Sequence, residues 1–262
     1  MDLQLKDQLA LVSGSTKGIG RAIATALARE GARVIVNGRT KASVAAAMES
    51  IWSAVPGAKL EGFAGDLAAE PDTASLLLQF PAVDVLVNNL GIFEPKPFEQ
   101  ISDADWRRFL EVNLLSGVRL SRAYFAGMKA RNWGRIIFIS SESGLQIPPE
   151  MVHYGVTKTA QIALARGLAE LSAGTGVTVN SVLPGPTRSD GVEEFVNQLS
   201  GGQPFAEFER EFFAKLRPTS LLRRFATPEE VANLVAYVAS PLSSATNGAA
   251  LRVDGGVVKS AF

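Results

Sequence analysis

Gln8-Leu9-Ala10-Leu11-Val12-Ser13-Gly14-Ser15-Thr16-Lys17-Gly18-Ile19-Gly20 is a short apolar run that breaks into a turn carrying three glycines. The apolar part reads as a buried strand. The residues from Arg21 to Glu30 follow a helical pattern with Ile23, Leu27 and several alanines inside it, and Gly31 stops it. Arg33-Val34-Ile35-Val36-Asn37 is a second strand. Strand, glycine turn, helix and strand in that order make a βαβ unit. Glycine at the first turn lets the backbone approach a pyrophosphate closely, and the helix behind it offers free N–H groups and a positive dipole end. A tight βα turn without a ligand would use the same residues, so the rest of the chain has to decide.

The unit repeats. Residues 41–53 and 71–80 are helical, 59–64 and 83–87 are strands, and Asp66 and Asn88-Asn89-Leu90-Gly91 follow those strands. Ser102, with Asp105 three residues on, caps a long helix running toward Arg131. The strand at 135–140 leads to Ser141-Glu142-Ser143-Gly144, and the helix carrying Tyr154 runs to about Ser172. The strand at 177–183 ends in Pro184-Gly185-Pro186-Thr187. Thr227-Pro228-Glu229-Glu230 starts a capped helix that reaches Ser240, and 249–253 is a last strand. Seven strands alternating with helices predict an α/β fold: a doubly wound, Rossmann-type parallel sheet with helices on both faces. No linker interrupts the series, so residues 1–262 are expected to form one domain. Ligands of such sheets bind beyond the carboxyl ends of the strands. The glycine turn, Asp66, Asn89, Ser141 and Pro184 all fall there.

Composition narrows the function classes. The chain has 262 residues, 47% hydrophobic and 20% charged, enough to bury a sizeable core. Lys plus Arg equals Asp plus Glu at 26 each, which argues against a nucleic-acid surface. No cysteine and one histidine, His153, leave no thiolate or histidine-rich metal site. No secretory signal and no bilayer-spanning apolar stretch are visible, so a soluble cytoplasmic protein is expected.

Tyr154 and Lys158, four residues apart, share one face of their helix. A phenol titrates near pH 10, and a cation one turn away would draw that value down, so the pair suits proton transfer. The spacing alone also fits a solvated helix face.

Taken together, Ser13-Gly14-Ser15-Thr16-Lys17-Gly18-Ile19-Gly20, Asp66, Asn88-Asn89-Leu90-Gly91, Asn113, Ser141, Tyr154 with Lys158, and Pro184-Gly185 resemble the short-chain dehydrogenase/reductase family over nearly the whole length. The glycine spacing differs from the G-x-G-x-x-G of two-domain dehydrogenases and suits this branch. The resemblance implies a nicotinamide-dependent oxidoreductase acting on a ketone or secondary alcohol. Tyr154 is then the acid-base and Lys158 its tuner and the holder of the nicotinamide ribose. Ser141, thirteen residues before Tyr154, becomes the partner of the substrate oxygen, with Ser140 and Ser143 as bystanders. Asn113 would hold a water linking Lys158 to solvent. Gly14, Ser15, Thr16, Lys17, Gly18, Ile19, Gly20, Arg39, Asp66, Leu67, Asn89, Gly91, Pro184, Gly185 and Thr187 complete the implied cofactor site. Two departures stand out: Ser13 where the family usually has Thr, and Leu90 where it usually has Ala.

The second strand ends in Gly38-Arg39, with no carboxylate to accept from a ribose 2′-OH. Arg39 and Lys17 suit a 2′-phosphate, so NADP(H) is expected over NAD(H). The substrate side is less legible. Residues 188–218 resemble a substrate-covering segment and carry Phe195, Phe205, Phe208, Phe212 and Phe213. Aromatics so spaced are more often a packing face than a substrate box. Ile147, Pro148, Met151 and His153 stand as the opposite wall, with His153 structural, and an apolar carbonyl substrate is expected. Arg107, Arg108, Arg119, Arg122, Lys129 and Arg131 on the long helix could meet an acyl carrier protein, as 3-oxoacyl reductases of the family do; a solvated face is the plainer reading. A non-catalytic dinucleotide sensor of the same fold is the rival outside enzymes, and retention of Ser141, Tyr154, Lys158 and Asn113 weighs against it. Relatives commonly form homotetramers, so self-association is expected.

Overall fold

The computed structural model describes residues 1–190, 192 and 204–261. Seven strands form one parallel sheet: β1 Leu9–Val12, β2 Arg33–Gly38, β3 Lys59–Ala64, β4 Val85–Asn88, β5 Gly134–Ile139, β6 Val177–Pro184 and β7 Ala250–Val253. Their spatial order is β3-β2-β1-β4-β5-β6-β7, so the chain switches direction between β1 and β4. That reversal opens the crevice in which doubly wound sheets take ligands.

The inner strands β1, β2, β4, β5 and β6 are buried on both faces, which is why their segments read as nearly continuous apolar runs, while the edge strands β3 and β7 stay partly exposed. Successive residues serve different cores. Ala10, Val12, Val34, Val36, Val85, Val87, Ile137 and Ile139 face one, while Leu11, Ile35, Leu86, Ile136 and Phe138 face the other. Helices α1 (Gly18–Arg29), α2 (Lys41–Ala54) and α8 (Pro228–Ala239) supply the first layer. Helices α5 (Ser116–Ala130) and α6 (Val152–Leu171), with α3 (Glu70–Gln79), supply the second. Helix α7 spans Phe205–Lys215 and lies over the carboxyl ends of the strands, where Phe208 and Phe212 meet the crevice.

The sequence reading of one long helix from Ser102 needs a correction. Helix α4 covers only Asp103–Leu110, and a π-turn at Glu111–Leu115 joins it to α5. The wider turn takes a carbonyl out of the regular ladder and offers it to a neighbour. That carbonyl belongs to Asn113, within the candidate site. Both expected caps are present. Ser102 accepts from Asp105 N–H, and Thr227 accepts from Glu230 N–H, each in a reciprocal capping box. Among the described residues no helix is long and apolar enough to cross a membrane.

Thr227→Ala removes one acceptor at the start of α8. It should cost about 1 kcal/mol, read in thermal denaturation as a drop of roughly 2–4 °C.

Candidate active site

The crevice holds a cavity of about 610 Å³ over the carboxyl ends of β1, β4, β5 and β6. Gly14, Lys17, Gly18, Ile19 and Gly20 line one end, and Asn89, Leu90 and Gly91 the flank. Ser141, Tyr154 and Lys158 form the floor, with Pro184, Gly185 and Thr187 opposite. Five of the sequence-derived cofactor residues do not line it: Ser15, Thr16, Arg39, Asp66 and Leu67. Leu67 is fully buried in the second core, and Arg39 is exposed just outside.

The glycine turn is held open by two asparagines. Asn37 Oδ1 accepts from Gly14 N–H at 2.9 Å, while its amide donates to the carbonyls of Phe63 and Gly65. Asn89 Nδ2 donates to the carbonyls of Ser13 and Gly14, and Asn89 N–H donates to Ser13 Oγ. Sequence reading took Asn37 only as the end of a strand. The signal was a polar residue inside an otherwise apolar β2. A Cβ at Gly20 would lie 2.4 Å from Gly14 O and 2.5 Å from Asn89 Nδ2, so no side chain fits there. A Cβ at Gly38 would meet the Thr16 methyl at 2.3 Å. The missing carboxylate at the end of β2 therefore has a packing cause as well as an electrostatic consequence.

The fit to an anionic cofactor is visible in the turn itself. The Asp190 carboxylate accepts from Gly18 N–H at 3.0 Å and lies 3.4 Å from Arg21 Nη2. A negatively charged oxygen thus already sits at the N-terminus of α1, where N–H groups converge. A dinucleotide phosphate asks for the same donors. Leu90 lies over Gly14 closely enough that a Cβ there would come within 3.0 Å of its Cδ2.

Lys158 is the central cation of the floor, and it is 4% exposed. Its Nζ donates to Ile139 O at 2.8 Å and to Gln161 Oε1 at 3.3 Å, and stands 5.6 Å from the centre of the Tyr154 ring. Among the described residues no carboxylate pairs with it. Burial alone draws the amine down to about 7. The Tyr154 phenol is pushed well above its usual range, first by burial and then by the Glu142 carboxylate, with Ser141 and Arg217 opposing. Burial depresses the amine and raises the phenol together.

Asn113 differs from the expectation in its details. Its side chain accepts from Ile92 N–H and donates to Ile92 O and Thr157 Oγ1, which locks it behind the site. The freed Asn113 carbonyl accepts from the Gln161 amide. Gln161 therefore bridges Lys158 to the π-turn directly. It went unnoticed because Gln three residues beyond Lys158 looks like any polar helix residue. Ser140 Oγ donates to Lys158 O, tying β5 to α6.

The Ser141 hydroxyl donates to Glu142 Oε2 at 2.6 Å and accepts from Ser143 N–H. Ser143 Oγ donates to the same carboxylate oxygen at 2.6 Å. Glu142 Oε1 accepts from Arg217 Nε at 3.0 Å, and Arg217 Nη1 donates to Glu150 at 3.0 Å. All three charged groups line the cavity. None was singled out from the sequence, because nothing local distinguishes Glu142 or Arg217 from surface charges.

The aromatic residues divide. Phe208 and Phe212 line the cavity together with Phe93 and Phe225, whereas Phe213 is buried against Phe225. Phe205 packs on Phe225 and under the Arg188 guanidinium, and Phe195 lies outside the described residues. Met151 reaches the cavity and Ile147 does not. His153 is fully buried against Phe109, with its titration pushed down by burial, and serves as a core aromatic. Of the basic residues on α4 and α5, Arg107, Arg108, Arg119 and Arg131 each pair with a nearby carboxylate. Among the described residues no group of three or more potential ligands could hold a metal ion.

Known proteins resemble this chain over its full span. The family profile described as enoyl-(acyl carrier protein) reductase matches residues 14–258. An uncharacterised oxidoreductase of Bacillus subtilis, YvaG, is 49% identical, covering 100% of both chains. The 3-oxoacyl-[acyl-carrier-protein] reductase FabG of Aquifex aeolicus is 34% identical over 98% of this chain and 100% of its own. Among solved structures, L-sorbose reductase of Gluconobacter frateurii, complexed with NADPH and L-sorbose, superposes with a TM-score of 0.91. It is 28% identical and covers 99% of this chain and 100% of its own.

The buried amine sets a pH test. Unfolding returns Lys158 to about 10.5, so the unfolded chain binds more protons at neutral pH and stability rises with pH above about 7. Between pH 7 and 8 the cofactor-free protein should gain on the order of 1 kcal/mol from this group. Urea denaturation of the wild type and of Lys158→Met checks it: the variant should lose that slope.

Proposed function

The chain belongs to the short-chain dehydrogenase/reductase family and is an oxidoreductase, and from that premise we propose that it transfers a hydride between NADP(H) and a ketone or secondary alcohol. The observation that carries the reading is the convergence of Ser141, Tyr154 and Lys158 at the floor of a crevice whose far end is a glycine turn built for an anion. The nicotinamide supplies the hydride when bound. The chain's own task is the oxygen of the substrate. When a carbonyl is reduced, negative charge grows on that oxygen, and hydroxyl donors aimed at it lower the barrier. Tyr154 Oη–H is the donor that gives up its proton, because burial keeps the phenol protonated. Ser141 is the second donor. Its hydroxyl points to Glu142 in the structure, so it must turn away from a carboxylate to reach a substrate.

Lys158 replenishes and steadies the phenol. An amine drawn down to about 7 can exchange a proton at neutral pH, and once charged it stabilises the phenolate that the reduction leaves behind. Gln161 and the Ile139 carbonyl hold it in place. Gly14, Lys17, Gly18, Ile19, Gly20, Asn89, Gly91 and Thr187 line the cavity and would hold the dinucleotide. Arg39 and Lys17 favour a 2′-phosphate over a bare hydroxyl. Likeness to a reductase solved with NADPH and L-sorbose supports the cofactor and the carbonyl. Likeness to FabG supports an acyl thioester as a second reading; on the helix that would meet an acidic carrier, Arg107, Arg108 and Arg119 pair with neighbouring carboxylates.

Two measurements test the proposal. Tyr154→Phe should abolish NADPH-dependent ketone reduction while NADPH binding persists in a fluorescence titration. Arg39→Glu should weaken NADPH by very roughly 1–3 kcal/mol and leave NADH little changed, read as kcat/KM for each cofactor.

A further inference from the structure

Resting on the reductase reading above, we propose that Glu142 and Arg217 form a polar subsite beside Tyr154 that selects neutral ketones bearing a hydroxyl on the carbon next to the carbonyl.

The first ground is position. Glu142 Oε2 is 2.6 Å from Ser141 Oγ, the group assigned to the substrate oxygen. A substituent one carbon from the carbonyl comes within reach of that carboxylate and of the guanidinium paired with it. The second ground is an incomplete fork. Arg217 is 8% exposed, yet it lines the cavity. Its Nε donates to Glu142 Oε1 at 3.0 Å, and its Nη1 donates to Glu150 and to Leu216 O. Its Nη2 has no hydrogen-bond partner among the described residues. Nε and Nη2 form the edge that usually grips a carboxylate with two parallel bonds. Here Glu142 fills only half of that edge, because its second oxygen is taken by the two serine hydroxyls.

The third ground is the count of donors and acceptors. Glu142 Oε1 takes one hydrogen bond and has room for another. Arg217 Nη2 offers a donor. A hydroxyl accepts from Nη2 and donates to Oε1 at once, whereas an ammonium has no lone pair for Nη2 and an alkyl group satisfies neither. The fourth ground is charge. The Glu142–Arg217–Glu150 cluster itself holds two carboxylates and one guanidinium, one net negative charge at this end of the cavity, beside the low-dielectric ring of Phe212. A carboxylate or phosphate at this place would meet repulsion. The apolar remainder of the substrate packs against Phe93, Phe208 and Phe212.

The test uses the purified full chain with saturating NADPH and three ketones of one length: 2-hexanone, 1-hydroxy-2-hexanone and 2-oxohexanoate. The hydroxyketone should exceed 2-hexanone in kcat/KM by at least about tenfold, with the oxoacid poorest. In Glu142→Gln the preference for the hydroxyketone should shrink and the oxoacid should gain relative to 2-hexanone. Arg217→Met should lose the preference, and Arg217→Lys should not restore it, since lysine keeps the charge without the fork. If Arg217→Met does not fold, Glu142→Gln and Arg217→Lys decide. Equal kcat/KM for 2-hexanone and the hydroxyketone, or variants that lower all three ketones by one factor, would overturn the subsite alone. No consumption of any ketone by protein that still binds NADPH would overturn the reductase reading, and the subsite with it.

Discussion

The Lys158 amine is buried to 4% exposure with two neutral oxygens for company. Burying an amine without a counter-charge opposes its protonated form, and the surroundings have to be arranged so that the cost is bearable. Much of the nearby architecture reads as that arrangement. The β5 carbonyl of Ile139 points at Nζ, and Ser140 pins the Lys158 backbone to the sheet. Gln161 takes the remaining reach of Nζ and passes it to a π-turn that exists to free a carbonyl. Gly91 brings its backbone close enough that an added Cβ would sit 3.4 Å from Nζ. A poised amine next to a protonated phenol is the result, and its position at the mouth of the strands gives it chemical use.

The glycine turn obeys a second constraint that is geometric. Backbone N–H groups can face an anion only if the chain around them is held by something else. Asn37 and Asn89 do the holding, from β2 and from the end of β4. Both replace main-chain hydrogen bonds that a turn this tight cannot make. Asp190 on one Gly18 N–H shows that the turn accepts negative charge in the folded chain. It also places the start of the covering segment within reach of the cofactor end of the crevice.

The substrate end combines two environments that seldom share a wall. Phenylalanines from α7 and from the loop after β4 make it apolar, and a Glu142–Arg217–Glu150 triad, buried at Glu142 and Arg217 and half-buried at Glu150, makes part of it ionic. Buried ion pairs are poor sources of stability, because desolvation offsets most of their attraction. This one joins the loop after β5, the turn at 149–151 and the residues just after α7. The expectation of a purely apolar pocket holds for the aromatic side and misses the ionic one.

By itself the sequence determined the sheet, its seven strands and the place of the cofactor turn, because these rest on period, on glycine and on local caps, all of which are short-range. It also placed Ser141, Tyr154 and Lys158 on the ligand side, since the order of elements in a doubly wound sheet decides which loop ends meet. What only the tertiary structure decided was which side chains use one another. Gln161 meets a carbonyl forty-eight residues away, and Arg217 meets a carboxylate seventy-five residues away. No local pattern marks such pairs, since a glutamine, a glutamate or an arginine looks the same in sequence whether solvated or buried. The titration of Tyr154 and Lys158 follows the same rule: spacing puts them on one face, but burial, a property of the whole fold, pushes the phenol up and the amine down.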